Sequence, residues 1–143
     1  MRSAVRWRAA AVAAAALLTM TATACGDRAG ASGGDELTVD LDIHYSRFEP
    51  TSITVRAGTL VRFVVHNHDP IRHELIVGPP EVHARHASGH EAVHPPVPGE
   101  VSVEPDATAE TVYHFDQVGT VIFACHLPGH DEYGMNGQVD VVD

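Results

Sequence analysis

Between Cys125 and Met135 the chain sets a thiol, the His130 imidazole and a thioether on one short loop, spaced Cys-x4-His-x4-Met. Thiolate and thioether sulfur are soft ligands that favour Cu(I), and imidazole suits both copper oxidation states. A cysteine with two histidines and a weak axial methionine is an electron-transfer copper arrangement. Pro128-Gly129 supplies a turn and Gly134 precedes the methionine. One imidazole is missing from this set. His126 cannot supply it if Val121, Phe123 and Cys125 face inward along a strand, because successive strand side chains point to opposite faces. The chain must therefore fold so that a distant histidine returns to this loop.

The rest of the sequence has the texture of an all-β domain. Short β-type runs occur at Leu37–Ile43, Ile53–Val55, Leu60–His66, Glu74–Val77, Glu110–Phe115, Thr120–Cys125 and Gln138–Val142, separated by turn residues. Val61, Phe63 and Val65 alternate with Arg62, Val64 and His66, as in a strand with one core face. Gly58 and Gly119 each sit between two runs and mark hairpins or corners. With its Cys-x4-His-x4-Met loop and these two glycine turns, the chain resembles the cupredoxins, the small blue-copper proteins of the plastocyanin, azurin and auracyanin type. The resemblance covers roughly Leu37 to Asp143. It implies a Greek-key β-sandwich, with a short helical or loop insertion here, and one type 1 copper.

Three histidines are candidates for the missing ligand: His66, His68 and His73. His73 follows the Pro70 loop and opens the run Glu74-Leu75-Ile76-Val77, and the resemblance implies that the first copper histidine stands there. The expected ligand set is thus His73, Cys125, His130 and Met135. His66 and His68 would face one side of a strand together and are expected to be exposed; His44 and His114 read as ordinary surface histidines. In cupredoxins an Asn after the first histidine and a Ser or Thr after the cysteine tie the two ligand loops together. Those positions hold Glu74 and His126 here, so these two are expected to contact each other, with the carboxylate raising the His126 pKa.

The N-terminus reads as a processed segment. Arg2, Arg6 and Arg8 precede an apolar Ala9–Leu18 run and then small residues, so residues 1–24 form a secretory signal. Ala22-Thr23-Ala24-Cys25 resembles a bacterial lipoprotein cleavage site, with Ala22 where that pattern usually has Leu. Cys25 is the expected lipidation site, residues 25–36 a flexible tether, and residues 37–143 the domain. The protein would then sit lipid-anchored on the outer face of the cell membrane or in the periplasm. Processing would leave Cys125 as the only free thiol and Met135 as the only thioether. The formal net charge is −10 with no lysine, and three of the nine arginines belong to the signal. Such acidity argues against nucleic acid and favours a basic docking partner or plain solubility.

Between Glu81 and Pro95 lie His83, His86, His90 and His94, at steps of three, four and four. On a helix they would share one face, at a spacing that can hold a secondary copper or zinc ion. Ser88-Gly89 weakens such a helix, and a His-rich surface insertion is the plainer expectation.

These features describe a monomeric, exported blue-copper protein that carries single electrons between redox protein partners such as a cytochrome or an oxidase, and no enzyme. A copper-binding or delivery lipoprotein using the His-rich segment is the alternative. An enzyme is the weaker one: His66-x-His68 followed by His83 is similar to copper-zinc superoxide dismutase, but that family normally has an intradomain disulfide and this domain has one cysteine.

Overall fold

The computed structural model describes residues 35–89, 93 and 96–143. The signal, Cys25, nearly all of the tether, His90 and His94 lie outside the described residues. Among the described residues the elements run β1 (Glu36–Ile43), β2 (Phe48–Glu49), β3 (Ser52–Arg56), β4 (Thr59–Asn67), β5 (His73–Gly78), α1 (Pro80–Ser88), β6 (Glu100–Val103), β7 (Thr108–Phe115), β8 (Gly119–Ala124) and β9 (Asn136–Val142). All seven expected runs are strands. The two short additions, β2 and β6, extend the edges of the sheets.

The strands form two sheets, ordered β2-β1-β4-β7 and β3-β9-β8-β5-β6. Because β3 and β4 belong to different sheets, as do β7 and β8, the turns at Gly58 and Gly119 are corners between sheets, not hairpins. β1 pairs parallel with β4, and β3 parallel with β9. The chain thus crosses repeatedly between the two layers of a cupredoxin β-sandwich.

Period-two patterning drives the layering. Val61, Phe63 and Val65 on β4 have no solvent exposure, whereas Leu60, Arg62, Val64 and His66 are half-buried on the outer face. Their inner face meets Leu41 and Ile43 of β1 and, from the second sheet, Leu75, Phe123, Val139 and Val141 in one core. Phe48 packs edge-to-face on Phe123 with ring centres 5.5 Å apart, and Phe63 on Phe115 at 6.4 Å. Each such side chain contributes about 1.5–3 kcal/mol by leaving water.

The second sheet determines where the candidate ligands fall. β5 runs antiparallel to β8 with Ile76 opposite Ala124, and β8 antiparallel to β9 with Ala124 opposite Asn136. The start of β5, the end of β8 and the start of β9 therefore lie side by side at one end of the sandwich. α1 follows β5, with Pro80 in its first turn, where a missing N–H costs nothing, and it ends at Ser88 before Gly89. α1 carries His83 and His86, the first two of the four spaced histidines, while His90 and His94 lie outside the described residues.

Candidate metal centre

His73 opens β5 and is fully buried. Its Nδ1 lies 3.2 Å from Nδ1 of His130, which lies 3.3 Å from Sγ of Cys125. Side chains separated by more than fifty positions in the chain thus bring their donor atoms within 4.8 Å of one another. Met135 is also fully buried and belongs to the same core as Cys125.

The loop is held by its own backbone. The Cys125 N–H donates to the Met135 carbonyl at 3.1 Å, and the Met135 N–H donates to the His130 carbonyl at 3.0 Å. Gly129 and Gly134 have φ of 83° and 86°, in the left-handed region that lets the loop turn twice within a few residues. These bonds hold the cysteine, histidine and methionine in register before any metal arrives.

Asp69, which sequence reasoning did not single out, governs His73. Its Oδ2 lies 3.0 Å from His73 Nε2, while its two oxygens accept the N–H groups of Tyr45 and Ser46 at 2.8 and 2.7 Å. With Nε2–H donated to the carboxylate, the ring keeps its Nδ1 lone pair toward His130 and Cys125, the arrangement that commonly orients metal-ligating histidines. Burial raises the Asp69 carboxyl, but the Ser46 and Tyr45 N–H groups and the His73 ring outweigh it and hold the pKa below the usual range. Burial likewise holds His73 below the ordinary imidazole value, against the pull of Asp69. Asn67 fixes the loop between them: its amide donates to the carbonyls of Ile71 at 2.8 Å and Glu104 at 2.9 Å, and its Oδ1 accepts the Asp69 N–H at 3.0 Å.

Burial pushes the Cys125 thiol up to about 12, although the N–H groups of Glu74 and Leu127 oppose the rise. A thiol so placed is inert without a cation, and a metal that draws off its proton supplies the charge the pocket otherwise penalises. One buried sulfur and two convergent imidazole nitrogens fit copper in either oxidation state.

Glu74 and His126 do contact each other, but through the main chain. Glu74 Oε1 accepts the His126 backbone N–H at 2.9 Å, tying the loop after β8 to β5. The imidazole turns away from the centre, and its Nε2 lies 2.8 Å from His83 Nδ1. Its pKa is accordingly lowered, not raised: burial is the main cause, and His83 adds to it. His66 and His68 lie on the outer face of the first sheet, beside Asp40 at 3.0 Å and Asp42 at 2.8 Å, and His114 lies beside Asp116 at 2.7 Å. None of the three joins the centre.

Comparisons with known proteins bear on the family and the fold. The chain is 41% identical over 98 residues to the copper-resistant cuproprotein CopI of Rubrivivax gelatinosus, a match covering 66% of this chain and 59% of that protein. It is 30% identical over 126 residues to CopI of Pseudomonas aeruginosa, covering 66% of this chain and 70% of the relative. The chain thus spans about three fifths of the first relative's length. In fold it is similar to the auracyanin of Roseiflexus castenholzii, at 18% identity and a TM-score of 0.64, with 77% of this chain and all of that one covered. The family model for copper binding proteins of the plastocyanin/azurin family matches residues 35–142, and the chain belongs to that family.

Proposed function

We propose that His73, Cys125, His130 and Met135 hold a single type 1 copper and that the protein carries single electrons between redox partners. The observation that carries this reading is the convergence of the buried Cys125 sulfur with two imidazole nitrogens within 4.8 Å. Copper so bound supplies a one-electron couple. The chain's part is to keep the donor set rigid: Asp69 holds the His73 ring, the Met135 backbone clamps both ends of the loop, and the core excludes water from Cys125. A site that moves little on gaining or losing an electron suits a carrier. Exposed Pro128 and Tyr133 on the same loop offer a docking face for a protein partner. The test is Cys125→Ser in the copper-loaded protein, which removes the thiolate-to-copper charge-transfer band. A variant that stays coloured overturns the ligand assignment.

The name of the CopI relatives favours a second reading, a role in copper tolerance in which the domain binds or hands on the metal. Electron self-exchange separates the two. A carrier exchanges electrons rapidly while retaining its copper, whereas a delivery protein loses copper to an acceptor faster than it exchanges electrons. The leader and the Ala-Thr-Ala-Cys sequence support an exported, lipid-anchored form. Intact-mass analysis of membrane-extracted protein is expected to find lipid on Cys25 as the first residue, and an unmodified terminus further along would reject the anchor.

A further inference from the structure

The histidine that follows the cysteine is not solvated. The His126 side chain is 6% exposed, enclosed between the ligand loop and α1. His83 Nδ1 stands 2.8 Å from its Nε2, and His86, one helical turn beyond His83, stacks on the His126 ring with centres 6.3 Å apart. Three imidazoles from two elements thus meet on the far side of the cysteine strand from the blue-copper ligands. We propose that His83 Nδ1 and His126 Nε2 form a second metal site, for a divalent imidazole-seeking cation such as zinc or cupric ion.

The His83 ring already carries the support of a metal-ligating histidine. His83 Nε2 lies 3.1 Å from the Gly78 carbonyl and 3.2 Å from the Ile122 carbonyl, which keeps its proton there and leaves Nδ1 as the lone pair. Ligating histidines typically give their second N–H to just such a carbonyl. His126 turns its Nε2 to His83, and its Nδ1 lies 3.9 Å from the Asp131 carboxylate, too far for a hydrogen bond but near enough to favour a cation. The two facing nitrogens stand where a single cation could take both as ligands. Two nitrogens at about 2.0–2.1 Å from one ion are about 2.9 Å apart at a right angle and about 3.4 Å apart in a tetrahedron, so the rings need separate only slightly. A cleft lined by Glu74, Arg85, His86, His126, Asp131 and Glu132 opens beside His126, and its three carboxylates against one guanidinium favour entry of a cation.

This site differs from the one the histidine spacing suggests. It recruits His126 from the ligand loop and needs only His83 of the insertion. It also links the two centres covalently, because His126 follows Cys125 in the chain. The experiment uses the full chain with copper already loaded, titrated with Zn(II) by calorimetry, with bound metal counted after desalting. One zinc per chain is expected beyond the copper. His126→Gln and His83→Gln are each expected to weaken zinc binding at least about tenfold while keeping the visible band, which reports that the fold and the first site are intact. Metal counting reads the zinc whether or not the copper is coloured, so failure of the blue-copper reading stays distinguishable. The proposal is overturned if the parent takes up no zinc, if both variants bind it like the parent, or if His126→Gln loses the visible band.

Discussion

Replacing Asp69 by Asn tests how far the centre depends on a residue that touches no metal. The carboxylate accepts two main-chain N–H bonds, from Tyr45 and Ser46, and orients His73 through Nε2. Asn keeps one acceptor oxygen, now uncharged, and sets an NH2 group where the other stood, so both N–H groups lose a charged partner and one loses its acceptor. A hydrogen bond to a charged group contributes about 1.5–3 kcal/mol, and release of a buried carboxylate offsets part of this, leaving a loss of about 1–2 kcal/mol in the metal-free protein. The second consequence falls on the ligand. An NH2 group facing Nε2 donates to it and drives the ring proton to Nδ1, the nitrogen turned toward Cys125 and His130. Outer-sphere changes of this kind weaken metal binding about 10–100-fold, or about 1.4–2.8 kcal/mol. Copper affinity is read by competition with a chelator, and stability by urea unfolding of the metal-free protein. If Asp69→Asn binds copper as tightly as the parent, the carboxylate does not set the His73 tautomer and the reasoning fails.

Two further expectations concern the fold. His73 and His126 are both held below the ordinary imidazole value by burial, so the unfolded chain takes up protons there before the folded one does. Stability of the metal-free protein is therefore full above about pH 6.5 and declines as pH falls below it; equal urea midpoints at about pH 7.5 and 5.5 would contradict this. A Cβ at Gly137 would lie 2.3 Å from the Phe123 ring and 2.6 Å from the Thr51 carbonyl, so Gly137→Ala is expected to cost at least about 1–3 kcal/mol on thermal unfolding. An unchanged melting temperature would mean that Phe123 moves aside freely.

The sequence was most legible where physics is local and repetitive. Val61, Phe63 and Val65 announce β4 by alternation alone, and the ligand loop announces itself because thiol, imidazole and thioether rarely meet by chance. β6 escaped because Val101 and Val103 give only two turns of the pattern between Gly99 and Pro105, where turn signals dominate. Asp69 escaped for a different reason. Its partners Tyr45 and Ser46 come from the loop after β1, and nothing in an Asp-Pro dipeptide reveals that two remote amides will converge on it. The His83–His126 pair depends on how α1 lies against the end of β8, a tertiary fact with no counterpart in spacing. Ser88-Gly89, by contrast, was legible as a weak point for a helix, and α1 ends at Ser88.

The two backbone bonds that clamp the ligand loop also bear on how such a chain can change over time. Cys125 and Met135 continue the register of β8 and β9 beyond Ala124 and Asn136, so both ends of the loop belong to the sheet. Residues 126–134 are then an exchangeable cassette. Insertions or deletions within it leave the sulfur of Cys125 where the sandwich puts it and alter only where His130 stands and what face the loop presents. A family built this way can vary the reach of its histidine and the face of its loop by rewriting nine residues, with the two sheets passed on unaltered.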